Sequence, residues 1–146
     1  VRSMPSLAVA GFMIILGVVC VTDLRSRRIP NRATGLAALI ALAAILASGP
    51  SRLPVALMAS LAVSLPLLIA SLINPAGMGM GDVKLMAVIG LYLGWTAVGV
   101  LLAGLLVATF AGGAASLFAR RPLGETELPL APFLTLAALV PLLALL

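Results

Sequence analysis

Apolar residues fill this chain in runs of about 20, interrupted by short clusters of charge, proline and glycine. The first run predicts a helix from about Pro5 to Thr22. It stops at "DLRSRRIPNR", which holds Asp23, Arg25, Arg27, Arg28 and Arg32. A second helix is expected over about Ala33–Ala47, ended by "SGPSRLP". A third follows over about Pro54–Ile73, with Pro66 as a kink site. The stretch "NPAGMGMGD" breaks the pattern before a fourth helix that continues to about Gly94. Trp95 and Thr96 read as a tight interfacial turn. A fifth helix is expected over Ala97–Ala119 and, after the polar "RRPLGETELP", a sixth over Ala131–Leu146. As helices, runs of about 20 residues cross a hydrocarbon core of about 30 Å. The pattern therefore predicts an all-α fold: one polytopic membrane bundle of about six transmembrane helices, a single domain over residues 1–146.

Composition strengthens that reading. Hydrophobic residues make up 63% of the chain and charged residues 9%, with a mean hydropathy of +1.29. Soluble domains carry roughly a quarter charged residues. The net charge of +5 sits in the connections between apolar runs, so topology and membrane lipids account for it and a nucleic-acid partner does not. The first run is too long for a signal peptide and reads as a membrane helix. The one cysteine, Cys20, lies within that run and is expected to be a small buried side chain.

Charge also orients the bundle. The 1–2, 3–4 and 5–6 connections hold seven Lys/Arg, and the N-terminus with the other two connections holds two. The positive-inside rule then puts the seven-charge side in the cytoplasm and both termini outside. All four acidic residues, Asp23, Asp82, Glu125 and Glu127, fall on that same side.

Carboxylates at membrane depth are costly and mark functional sites by default. Asp23 closes the first helix and Asp82 opens the fourth, and each is the other's plausible carboxylate partner. Two carboxylates sharing a proton can hydrolyse a peptide bond: one activates water while the other protonates the carbonyl oxygen. The sequence contains no histidine, so a histidine-based triad or a zinc–histidine site is excluded. No metal or cofactor is expected. Blander roles remain open at this level: Asp82 as a helix cap, Asp23 as a partner of the arginines after it. A proton relay in a small transporter or proton-conducting subunit is the alternative function.

Three local motifs resemble those of the type IV prepilin peptidase family. "GMGD" at 79–82, followed by Val83 and Lys84, resembles the GxGD motif of membrane aspartyl proteases. "DLRSRRIPN" at 23–31 resembles that family's other aspartate motif, and "LPLAPFLTLAAL" at 128–139 its late Pro-x-x-Pro-Phe segment. The resemblance implies an aspartic endopeptidase of the cytoplasmic (inner) membrane, with its active site facing the cytoplasm. Its substrates would be prepilins or pseudopilins, in which a basic leader precedes an apolar helix, and Asp23 and Asp82 would be its catalytic pair. The first connection is short and lacks the paired cysteines of many bacterial members, which speaks against N-methyltransferase activity. The short form is most similar to tight-adherence (Flp) pilus peptidases.

Supporting roles are expected nearby. Gly79 and Gly81 would let a substrate backbone approach Asp82 and would permit positive φ. Lys84 would tune Asp82 electrostatically or snorkel to the interface. Pro30 and Asn31 would stop one helix and cap the next, or touch substrate. Pro132 and Phe133, after Pro129, would bend the sixth helix into the site or simply start it. Gly104, Ala108 and Gly112, with Gly90 and Gly94, form small-residue stripes for helix packing inside one molecule. The oligomeric state is left open by the sequence.

Overall fold

The computed structural model describes residues 6–26, 31–73, 79–119 and 131–144. Within them the chain forms six α-helices and one short 3-10 turn: α1 (Ser6–Ser26), α2 (Asn31–Ser48), the turn Pro50–Arg52, α3 (Leu53–Ile73), α4 (Met80–Leu93), α5 (Thr96–Ala119) and α6 (Ala131–Leu143). Asn31–Ser48, Pro50–Ile73 and Thr96–Ala114 are long and apolar enough to cross a membrane. Shorter apolar segments run over Ala8–Asp23 and Pro132–Leu143. The fold is an all-α polytopic membrane bundle.

α4 is its central element. It packs chiefly on α3 and α2, and further on α5 and α6. Val83, Leu85, Met86, Val88, Ile89, Gly90 and Tyr92 are buried along it, covering more than one face. α1 joins through α2 and α6, and its Phe12 ring stacks on Tyr92 with centroids 4.1 Å apart and planes 10° from parallel. The outer surface is apolar as well: Met58, Leu61, Leu65 and Ile69 on α3 and Leu102, Leu106 and Phe110 on α5 are exposed. In lipid that arrangement costs nothing, because acyl chains are as apolar as the core. Some hydroxyls bond back to their own helices, as Thr109 Oγ1 donates to the Leu105 carbonyl at 2.8 Å and Ser48 Oγ to that of Ala44 at 2.7 Å.

Two glycines set close helix contacts. At Gly90 an added Cβ would stand 2.6 Å from the Ser60 Cα, so α3 and α4 touch backbone to backbone. Beside it Ser60 Oγ donates to the Ala87 carbonyl at 2.7 Å, joining the same two helices. At Gly104 the added Cβ would stand 2.7 Å from Leu134 Cδ2, which seats α6 on α5. Intramolecular packing is thus what these two glycines do. Gly94 plays a different part from the expected stripe. It ends α4 with φ 59° and donates its N–H to the Gly90 carbonyl at 2.9 Å, a glycine C-cap.

Several boundaries move. α1 runs on past Thr22 to Ser26, so Asp23 lies within its last turns. α2 begins at Asn31 and α4 at Met80, so Gly81 and Asp82 are helical and not part of the break before it. Packing of the apolar α4 between neighbours outweighs the poor helix propensity of one glycine. α3 continues through Pro66 without a break, and α6 ends at Leu143 with Pro141 inside it. Cys20 is half-buried. Arg27, Arg28, Pro30, Gly77, Arg120, Arg121, Glu125, Glu127 and Pro129 lie outside the described residues.

Candidate active site

Alternation of the helices brings the end of α1 and the starts of α2, α4 and α6 to one end of the bundle. Asp23 stands near the end of α1, only 7% exposed. Asp82 occupies the first turn of α4 and is half-buried. The two carboxylates are near enough for the charge on Asp23 to act directly on Asp82. Residues 59 positions apart in the chain are thus brought to one end of the bundle, where α1 ends and α4 begins.

The local geometry at Asp82 comes from Gly79. Its φ and ψ are −74° and 142°, the extended conformation usual for a helix N-cap, and its carbonyl accepts the Asp82 N–H at 3.1 Å. No side chain caps this end, so Asp82 is not the N-cap residue. Any residue adopts such a φ, so the expected need for positive φ is not met at Gly79. Among the described residues only Gly49 and Gly94 have it. What Gly79 supplies is space. An added Cβ would lie 3.8 Å from Asp82 Oδ2, directly against the carboxylate.

Lys84 neither snorkels freely nor turns back to Asp82 in the structure. Its Nζ donates to Asn31 Oδ1 at 3.0 Å, joining the first turn of α4 to the first residue of α2. Thr34, buried, steadies that turn of α2 by donating its hydroxyl to the Asn31 carbonyl at 3.1 Å. Between the two helices runs an open groove of about 370 Å³ lined by Asn31, Thr34, Gly35, Lys84, Ala87 and Val88. Thr34, Gly35, Ala87 and Val88 carry no chemical signal in the sequence and become visible only through this contact. Pro132 is buried in the first turn of α6, where its carbonyl accepts the Thr135 hydroxyl at 2.9 Å. Phe133 beside it is half-buried. Both serve the start of α6, which packs on α5 and α1. Among the described residues no group of three or more His, Cys, Asp or Glu stands together as a metal site would require.

Chemically, the arrangement offers one enclosed and one partly open carboxylate at the end of a membrane bundle, beside a groove that opens outward. Comparison with curated proteins and with solved structures gives no match. The model of the type IV leader peptidase family matches residues 10–117, a stretch that contains Asp23, Asn31, Asp82 and Lys84. The match covers well over half of the chain, and the protein therefore belongs to the type IV leader peptidase family, a family of membrane proteases.

Proposed function

We propose that this protein is an aspartic endopeptidase that removes the basic leader from prepilin-like precursors at the cytoplasmic membrane face. What supports the reading is the position of the buried Asp23 near the end of α1 and of the half-buried Asp82 in the first turn of α4, at the same end of the bundle and near enough for one charge to act on the other. The family membership supports the class of substrate.

The dyad works with one proton shared between its two carboxyls. The ionised carboxylate takes a proton from a water molecule as its oxygen attacks the scissile carbonyl carbon. The protonated partner gives its proton to the carbonyl oxygen, and a neutral tetrahedral diol forms. On collapse the C–N bond breaks, the leaving nitrogen takes a proton from the dyad, and the hydroxyl proton returns to it. The products are the leader carboxylic acid and the new pilin amine, and the dyad regains its starting protonation. Gly79 leaves open the side of Asp82 Oδ2 from which a peptide backbone would approach. The 14 residues of α4 span about 21 Å. With Trp95 at one headgroup level, Asp82 then sits below the opposite one, at a depth that a pilin helix entering the bilayer can reach.

Co-expression with a substrate carrying a basic leader and an apolar helix tests this directly. Wild type yields the shortened pilin, and Asp23→Asn and Asp82→Asn each lose about 10²–10⁴-fold in cleavage rate. The rate is bell-shaped in pH, because cleavage stops when both carboxyls are protonated and again when both are ionised. Wild-type membranes that leave the precursor whole, or Asn variants that cleave as wild type does, would overturn the proposal.

A further inference from the structure

α1 meets α4 in a ring stack that lies away from the aspartates. Phe12 and Tyr92 stack, but each is ten or eleven residues from the aspartate on its own helix, about 15 Å along the axis. At the aspartate end, α1 and α4 make little backbone contact, while α2 packs along both. α2 and α6 each pack on both helices, so part of what sets the relative position of Asp23 and Asp82 passes through α2.

A polar link between α2 and α4 at that end is the hydrogen bond from Lys84 Nζ to Asn31 Oδ1. Lys84 follows Asp82 by two residues, about 200° around the helix, so Asp82 can face Asp23 while Lys84 faces α2. Asn31 follows Asp23 by eight residues and begins α2, whose first turn is steadied by Thr34. A cationic donor on a neutral carbonyl is stronger than a neutral pair, yet both side chains are exposed. Such a contact adds little to global stability but still sets a local distance.

We propose that Lys84 and Asn31 form a clasp that sets the separation of the two aspartates, which makes both of them positioning residues. The inference rests on the protease reading above and goes beyond it: the lysine acts through geometry and not by touching substrate. A misplacement of about 1 Å in a catalytic group can lower the rate about 100-fold.

The test uses the full chain in lipid nanodiscs with a peptide that carries a basic leader and an apolar helix. Lys84→Met and Asn31→Leu each lower kcat about 10- to 100-fold while KM stays within about twofold. The double variant is no slower than the slower single one, since both remove the same bond. Lys84→Arg, which can still donate to Asn31, retains most of kcat. All melt like wild type, and should Lys84→Met not fold, Asn31→Leu carries the same expectation. A rise in KM at constant kcat, losses that multiply in the double variant, or variants equal to an active wild type would each overturn the clasp alone. A wild type that cleaves nothing would overturn it together with the protease reading.

Discussion

Gly79 lies against Asp82 and brings no chemical group of its own. The extended backbone at Gly79 suits any side chain, and a methyl group there meets only ordinary contact distances. Alanine at 79 should therefore fold as well as wild type, or better by about 0.4–1 kcal/mol through the unfolded state. The same methyl would stand 3.8 Å from Asp82 Oδ2, in the space where a substrate backbone is proposed to pass. Gly79→Ala is expected to melt no lower than wild type yet cleave a prepilin peptide at least about tenfold more slowly, a loss of about 1.4 kcal/mol in transition-state stabilisation. Full activity would assign the glycine to the backbone alone. Both aspartates stood out in the sequence, because acids are rare in so apolar a chain. The partner of Lys84 was not, since nothing in residues 53 positions apart says which polar ends meet.

At the scale of helices, two close approaches carry unequal demands. The Gly90 position faces backbone: Ser60 Cα at 2.6 Å and its N at 3.1 Å from an added Cβ. The shortest contact at Gly104 is the far end of a leucine side chain, which can rotate. Gly90→Ala must push α3 off α4 and strain the Ser60–Ala87 hydrogen bond, at a cost of about 1–3 kcal/mol. Gly104→Ala should cost less, because only the tip of Leu134 stands inside 3 Å, at 2.7 Å, while its Cα lies at 3.3 Å. Unfolding of both variants from detergent micelles, followed by circular dichroism, checks the order, and a less stable Gly104→Ala would reverse it. Because α4 also carries Asp82 and Lys84, the Gly90 variant should lose activity along with stability. The stripes predicted close packing, but only the structure separates Gly90, which meets a helix, from Gly94, which ends one.

For the whole molecule, the asymmetry of charge makes a claim about sidedness. The stretch 25–32, with Arg25, Arg27, Arg28 and Arg32, should face the cytoplasm, and the turn Pro50–Arg52 should face outside. With Cys20 replaced by alanine, Ser51→Cys in intact cells should react with a membrane-impermeant maleimide. Arg32→Cys should react only in inverted vesicles; both native positions are exposed. The opposite labelling would put the aspartates on the wrong side for a leader that waits in the cytoplasm.

Much of this protein followed from its sequence because lipid is a strict solvent. Backbone groups in the bilayer must bond within their own segment, so long apolar runs become helices whatever their neighbours. Charge placement and acid scarcity then single out one end of the bundle and two residues on it. Tertiary structure decided what periodicity cannot express: α4 at the centre, α2 and α6 packed on both α1 and α4, and Lys84 held by Asn31. In helices apolar on nearly every side, hydrophobic pattern does not mark which face meets protein and which meets lipid. That choice depends on small-residue contacts and a few polar bonds between helices, which exist only once the helices are assembled.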